Sequence, residues 1–487
     1  MNSIDLIVIA LYVGGCTALG AWLGSKSQGL KGYFLAESDI PAWAVMISIV
    51  ATETSTATFL SVPGVGYQGD FTLLQLPFGY MLGRVVVATV LLPAYFRGQI
   101  FTAYQLLRDR FGGPTRTTAS VLFLVARSLG DGLRLFLAAT VLQHLTGWSA
   151  GTAIVAVALI TVVYTFLGGM KAVIWTDVIQ FSVYIAGALV ALLILVGKLP
   201  GGWSQLTEVA GRAGKFRLLD FSPDLTRPYT FWAGLLGGTV LNTATHGADQ
   251  MMVQRYLAAR SQRQAAGALI ASGFVIITQF ALFLFIGVSL WVFFGEFPVS
   301  GATIRSDERF TYFIIHNLPT GVLGLVIAAI FSAAMGTLAG SLNSSASTIV
   351  NDLYRPLTGQ SDERHLMRVS RAMTVLWGCV LTAVAFGARR LEDNVVNNAL
   401  AIASFVSGIL LGLFLLGILT RRVGQSAALA GVLAGLVAVS FAKFQTPLAW
   451  PWFALVGSLT VYCVGLVASL FLPQQPAESS VEVLADP

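Results

Sequence analysis

Nine stretches of this chain run for 20 residues or more without one Asp, Glu, Lys or Arg: 6–25, 135–170, 178–197, 228–248, 264–295, 310–351, 395–420, 423–442 and 444–477. A helix needs about 20 mainly apolar residues to cross a bilayer. Only 11% of the 487 residues are charged, against about 25% in ordinary soluble domains. The hydrophobic share is 56% and the mean hydropathy +0.77. A soluble globular enzyme, a disordered chain and a disulfide-stapled secreted domain are excluded on these grounds. Splitting the runs at turn residues predicts an all-α polytopic membrane protein with thirteen spanning helices. Their approximate spans are 4–24, 42–65, 71–96, 117–144, 149–167, 173–197, 229–254, 263–294, 315–350, 367–387, 394–419, 424–443 and 450–472. Residues 1–473 form a single transmembrane domain. The polar, acidic stretch 474–487 is expected to be a disordered cytoplasmic tail.

The first segment differs from a signal peptide. Asp5 precedes its apolar run, no basic region opens it, and the run exceeds the usual h-region of about 7–15 residues. It reads as a retained helix. With the N-terminus outside, the cytoplasmic loops hold 16 Lys and Arg, the outer loops 10, and the helices 3: Arg84, Arg127 and Arg134. Positive charge concentrates on the cytoplasmic side of membrane proteins, which favours N-out and C-in. The net charge of +6 is therefore mainly a topology signal. No interleaved basic and aromatic patch points to nucleic acid. Cys16, Cys379 and Cys463 all fall inside predicted spans and read as small apolar residues.

The informative residues are those that lipid rejects. Thr52, Thr54, Ser55, Thr56 and Thr58 surround Glu53, with Pro63, Gly64 and Gly66 following. Two readings fit: a packing face of small residues, or an unwound stretch whose carbonyls and hydroxyls hold a small cation. The run Asn242-Thr243-Ala244-Thr245-His246-Gly247-Ala248-Asp249-Gln250 interrupts the seventh helix in the same way. Broken helices at matching places in two halves point to a transporter site. The halves would be two five-helix repeats, about 42–197 and 229–420, with one extra N-terminal and two extra C-terminal helices. On the ninth helix, Ala333 and Thr337 share a face among small residues, Gly336 included. Arg127, Asp131 and Arg134 also share a helix face. They form either a self-neutralising triad or a set with one Arg left for a substrate carboxylate. Asp177 opens the predicted sixth helix, as a cap or as part of a cation path.

The segment Tyr164-Thr165-Phe166-Leu167-Gly168-Gly169-Met170-Lys171-Ala172, running into Trp175-Thr176-Asp177-Val178-Ile179-Gln180, resembles the Gly-Gly signature of the sodium:solute symporter family. Gly417-Ile418, Arg422, Ala427-Ala428, Gly431 and Gly435 resemble its second pattern, with Ala427 where the family usually has Gly. Gln254-Arg255 and Asn351-Asp352-Leu353-Tyr354 also fit, so the resemblance covers essentially the whole chain. It implies a LeuT-like fold of two inverted repeats and alternating access driven by co-transported sodium. The implied sodium ligands fall on Ala51, Thr54, Ala333, Gly336 and Thr337. Gly336 stands where members typically carry a hydroxyl residue, which leaves Thr337 as the only side-chain ligand and makes proton use more plausible. A second sodium site of some members falls on Ala339 and Gly340, so one ion per cycle is expected. Asp177 matches an aspartate linked to cation handling. The implied substrate positions fall near Glu53, Ser55, Thr58, Gln75, Arg127, Asn242 and Thr245. Asn242 matches a sugar-contacting Asn. Thr245 stands in place of a gating Tyr and Ile276 in place of a Lys. Gln75 and Arg127 are similar to residues of the sialic acid carriers.

The sequence thus predicts a membrane transporter rather than an enzyme. It would move a small polar solute, a sugar or sugar acid, inward with sodium across the inner membrane, and work as a monomer in the lipid bilayer. A proton-coupled symporter, a uniporter and a transporter-like solute sensor are the alternatives.

Overall fold

The computed structural model describes residues 2–24, 29–98, 100–299, 304–389 and 395–472. The predicted tail 474–487 lies outside the described residues. Among those residues all regular structure is helical, and the only extended pairing is an isolated bridge between Ile40 and Ala259. The main helices are α1 (Ser3–Gly24), α2 (Ala42–Glu53), α3 (Thr56–Gln68), α4 (Phe71–Phe96), α5 (Gly113–Thr146), α6 (Ala150–Gly197), α7 (Thr239–Gly247), α8 (Gln250–Leu257), α9 (Gln262–Glu296), α10 (Val322–Thr348), α11 (Glu363–Ala388), α12 (Val395–Leu419), α13 (Gln425–Gln445) and α14 (Pro451–Ala468).

Eight helices among the described residues are long and apolar enough to cross a membrane, or nine if the bent pair α2–α3 counts as one span. This differs from the thirteen predicted, for identifiable reasons. The predicted spans 149–167 and 173–197 form one 48-residue helix, α6. At about 1.5 Å per residue it would far exceed a hydrocarbon core of about 30 Å if straight. It is interrupted at Gly169, which takes φ 59° and ψ −163°, a conformation that glycine adopts without steric cost. The predicted span 229–254 is divided between α7 and α8, and α5 carries Arg116, Arg127, Asp131 and Arg134.

Glycines set how closely the helices around the centre approach. A Cβ at Gly83 on α4 would lie 2.7 Å from the carbonyl oxygen of Thr239 and 2.8 Å from Asn242 Cβ. A Cβ at Gly66 on α3 would lie 2.5 Å from the Leu284 carbonyl oxygen on α9. Such contacts bring backbones together without side chains between them. α10 is the buried axis of the molecule: Val326 to Thr348 are buried without exception.

Candidate functional site

The break between α2 and α3 falls on Thr54 and Ser55, whose φ/ψ are −91°/102° and −98°/171°. The helix axes bend there by 62°. Two extended residues remove the register needed for i→i−4 bonds. No backbone N–H of a described residue bonds to the carbonyls of Ala51, Thr52 or Thr54. Buried backbone carbonyls require partners, and one is supplied from α10. The hydroxyl of Thr337 lies 3.2 Å from the Thr52 carbonyl oxygen and 3.4 Å from that of Ala333. Gln279 on α9 donates to the Thr54 hydroxyl at 2.6 Å, and that hydroxyl donates to the Val50 carbonyl at 2.9 Å. At this crossing of the break with α10, Thr337 is the predicted ion residue that meets the break directly; Ala51 and Ala333 share one buried apolar cluster, Thr54 is bonded to α9, and Gly336 faces α6.

Behind this crossing lies α6. Asp177 is the eighth residue beyond Gly169 and sits inside a continuing helix, so it is not the N-terminal cap. Its side chain is fully buried. One carboxylate oxygen, Oδ2, accepts from Ser48 at 2.5 Å and from Arg255 at 3.1 Å. Arg255 also donates to Ser48 at 2.9 Å and to the Met251 carbonyl at 2.8 Å. A Cβ at Gly340 would lie 2.8 Å from Arg255 Nη2, so the guanidinium fills the space beside that glycine.

In front of the crossing lies a cavity of about 460 Å³. Thr52, Glu53, Ser55 and Thr58 from the first break line it together with Asn242, Thr245, His246 and Asp249 from the second. Gln68 and Ser306, joined by a hydrogen bond, line its far end with Arg305. The second helix interruption thus faces the first: α7 ends at Gly247, and Asp249 opens α8 by accepting from the Met251 amide at 2.9 Å. The opposite end of the bundle is tied by buried bonds. The Thr102 and Ser120 hydroxyls donate to Asp352, and Gln250 bonds the backbone of Phe101 and Ala103.

The cavity charges are paired. Glu53 accepts from Arg84, and His246 Nε2 lies 3.4 Å from the same carboxylate. Arg84 also donates to Ser272 at 3.1 Å. Arg127 bonds Asp249 and lies 3.6 Å from Asp131, which holds Arg134 in turn. The predicted triad is one part of a four-residue chain that ends on the second helix break. Gln75 is placed differently from the other predicted substrate residues. Its amide donates to the Thr72 and Tyr229 carbonyls and accepts from the Asp220 amide, and it is not among the cavity residues. Sequence reasoning did not assign Arg84, His246 and Asp249 to the site. A lone arginine within an apolar span was the available signal, because such a charge needs a partner in the bundle.

Residues 33–435 match the model of the sodium:solute symporter family. The chain is 30% identical to the human sodium/iodide cotransporter over 446 residues, covering 89% of this chain and 68% of that protein. It is 27% identical to the sodium/sialic acid symporter SiaT of Proteus mirabilis over 96% of both chains. The fold matches the substrate-bound, outward-open structure of a Na+-coupled sialic acid symporter with a TM-score of 0.90, at 26% identity, over 97% of this chain and 98% of that one. The broken helix, its crossing with α10 and these likenesses agree: the chain belongs to the sodium:solute symporter family, and is a membrane transporter coupling sodium to a solute.

Proposed function

We propose that this symporter carries a small polar organic solute, a sugar or sugar acid, inward by alternating access, with the solute in the cavity over Glu53. The observation that carries the reading is Thr52. Its residue lines the cavity, while its carbonyl oxygen receives the Thr337 hydroxyl at the ion crossing. Solute and sodium then order the same broken helix from opposite sides, so binding of either favours the conformation that binds the other.

Three features support the solute class. A volume of about 460 Å³ suits a sugar-sized molecule. The cavity offers the hydroxyl and amide groups of Ser55, Thr58, Asn242 and Thr245. Three carboxylates, Glu53, Asp131 and Asp249, pair with Arg84, Arg127 and Arg134, and Arg305 adds a fourth arginine to the lining. A solute that carries both hydroxyls and an acid group fits this set. An acid is accommodated if its carboxylate replaces Asp249 on Arg127. The likeness to sialic acid symporters favours the sugar acids.

The direction follows from the ends of the bundle. Asp5, at the start of α1, accepts from the amides of Gly321 and Gly324, at the start of α10. Arg305 and Ser306, in the segment before α10, line the cavity's far end. With the N-terminus outside, as the loop charges favour, the cavity faces outward and the Asp352 end is closed toward the cytoplasm. The repeats, about 42–197 and 229–420, would rock about the crossing, in an inner-membrane monomer. One sodium ion falling through 100 mV supplies about 2.3 kcal/mol for the step.

The test is a thermal-shift screen of purified protein with sugars, sugar acids, amino acids and monocarboxylates, each in sodium and in potassium. A sugar or sugar acid that stabilises the protein only in sodium is the expected result. Stabilisation indifferent to sodium would move the reading to proton coupling or uniport.

A further inference from the structure

Part of the cavity lining is apolar or aromatic, and Leu76, Tyr80, Tyr229, Phe280 and Trp450 belong to it. Trp450 is the unexpected member. It stands in the turn before α14, beyond both proposed five-helix repeats. Three contacts fix that turn. The Ser404 hydroxyl on α12 donates to the Trp450 carbonyl at 2.9 Å. The neighbouring Ala449 amide donates to the Leu225 carbonyl at 3.0 Å. A Cβ at Gly237 would lie 2.8 Å from the Pro451 carbonyl oxygen, so the turn presses on the helical segment 233–238 that leads into α7. Leu76 presses on the same segment from α4: a Cβ at Gly238 would lie 3.1 Å from its carbonyl oxygen. Tyr80 follows Leu76 by one turn, on the same face of α4. Leu76, Tyr80 and Trp450 are thus held around one glycine-rich segment at the cavity.

The Trp450 indole has a donor to spare. Its Nε1–H has no acceptor among the described residues. A buried tryptophan N–H ordinarily finds one, and a donor left unmet is costly. Trp377 and Trp452 also lack an acceptor there, but neither lines the cavity. A donor set among apolar side chains calls for a group that joins an acceptor oxygen to a small apolar end. An acylamino group has both, a carbonyl oxygen and a methyl. A bare hydroxyl has no apolar end, and a carboxylate is better served by the guanidinium of Arg127.

Building on the sugar or sugar-acid reading above, we infer that Trp450, Leu76 and Tyr80 form a subsite for an N-acyl group of the transported solute. The indole N–H donates to the acyl oxygen, and the apolar walls take the methyl. A residue beyond the second repeat then takes part in choosing the solute.

The test is equilibrium binding to the purified full chain in sodium. Two pairs of probes differ at one N-acetyl group: N-acetylneuraminic acid with its 5-hydroxy counterpart, and N-acetylglucosamine with glucose. The acetylated member of a pair is expected to bind about tenfold more tightly, the scale of one small apolar group in a fitted pocket. Trp450→Phe keeps an aromatic ring and removes the N–H. It is expected to weaken the acetylated probe roughly three- to tenfold, the scale of one hydrogen bond. The other member of the pair, the half-saturating sodium concentration and the melting temperature without solute are expected to stay unchanged. A merely structural role would move the last two instead. Should Trp450→Phe not fold, Leu76→Ala opens the methyl wall and is read in the same way. Equal wild-type binding within both pairs, or a Trp450→Phe protein that keeps the wild-type preference, overturns the inference and leaves a bridging water on the indole. If no sugar or sugar acid binds in sodium, the reading above falls and this inference falls with it.

Discussion

The Thr337 hydroxyl on α10 lies 3.2 Å from the carbonyl oxygen of Thr52, a residue that also lines the central cavity. On the proposed reading, one broken helix separates the ion from the solute. The two sites share a residue, and no long path between them is needed. Thr337→Ala removes this hydroxyl. A hydrogen bond is worth about 0.5–1.5 kcal/mol net. The half-saturating sodium concentration should rise roughly two- to tenfold, measured by uptake at graded sodium, and unchanged sodium dependence would place the ion elsewhere.

Arg127 is bound on both sides by carboxylates; its removal leaves Asp249, only 11% exposed, without its arginine, while Asp131 keeps Arg134. Breaking one partner of a buried pair costs about 3–5 kcal/mol. Arg127→Gln should lower thermal stability markedly, and adding Asp249→Asn should recover part of it. If an acidic solute binds Arg127 directly, uptake of that acid stays lost in the double variant although stability returns. Recovery of both would confine Arg127 to a structural role.

The close crossing of α4 on the helical segment 233–238, just before α7, rests on glycine. A Cβ at Gly79 would overlap the Gly234 carbonyl oxygen, whereas one at Gly14 on α1 meets nothing within 4 Å. Overpacking costs about 1–3 kcal/mol. Gly79→Ala should lower the melting temperature in detergent, and Gly14→Ala should hold or raise it. Equal effects would mean that the crossing is looser than described.

Asp70 lies in the turn between α3 and α4. Burial pushes its carboxyl up, but the hydroxyl and amide of Thr72 and the Arg217 guanidinium outweigh this and hold it below the ordinary value. A carboxyl lowered in the folded state stabilises it above the unfolded pKa of about 3.9. That contribution disappears as pH falls through the lower folded value. Asp70→Asn should therefore lower the melting temperature at pH 7, and the gap to wild type should close as the pH is brought below 4. A gap constant with pH would contradict the assignment.

Much of this was legible in the sequence because lipid penalises polar residues. Glu53 with its hydroxyl neighbours, and the run from Asn242 to Gln250, stood out against apolar flanks, and each lies at a helix interruption. The linked charges of Arg127, Asp131 and Arg134 were visible from helical spacing. Partners from other helices were not. Asp249 on Arg127, and Arg84 with His246 on Glu53, are separated by 31 residues or more, and no local period encodes such pairs. The cap option for Asp177 rested on a helix predicted to begin near 173, whereas Gly169 bends the helix and lets it continue. Gln75 looked like a pocket residue by position alone. Its amide is consumed by backbone groups of a loop whose course the sequence did not show.

The central claim is that ion and solute bind to opposite faces of the break at Thr54 and Ser55. The most direct test is reciprocal: the solute dissociation constant with and without saturating sodium, and the sodium constant with and without saturating solute, on the purified protein. Linkage requires that each ligand tighten the other by the same factor. The account predicts a factor well above one in both directions, sharply reduced by Thr337→Ala. Solute binding of equal strength in sodium and potassium would contradict it.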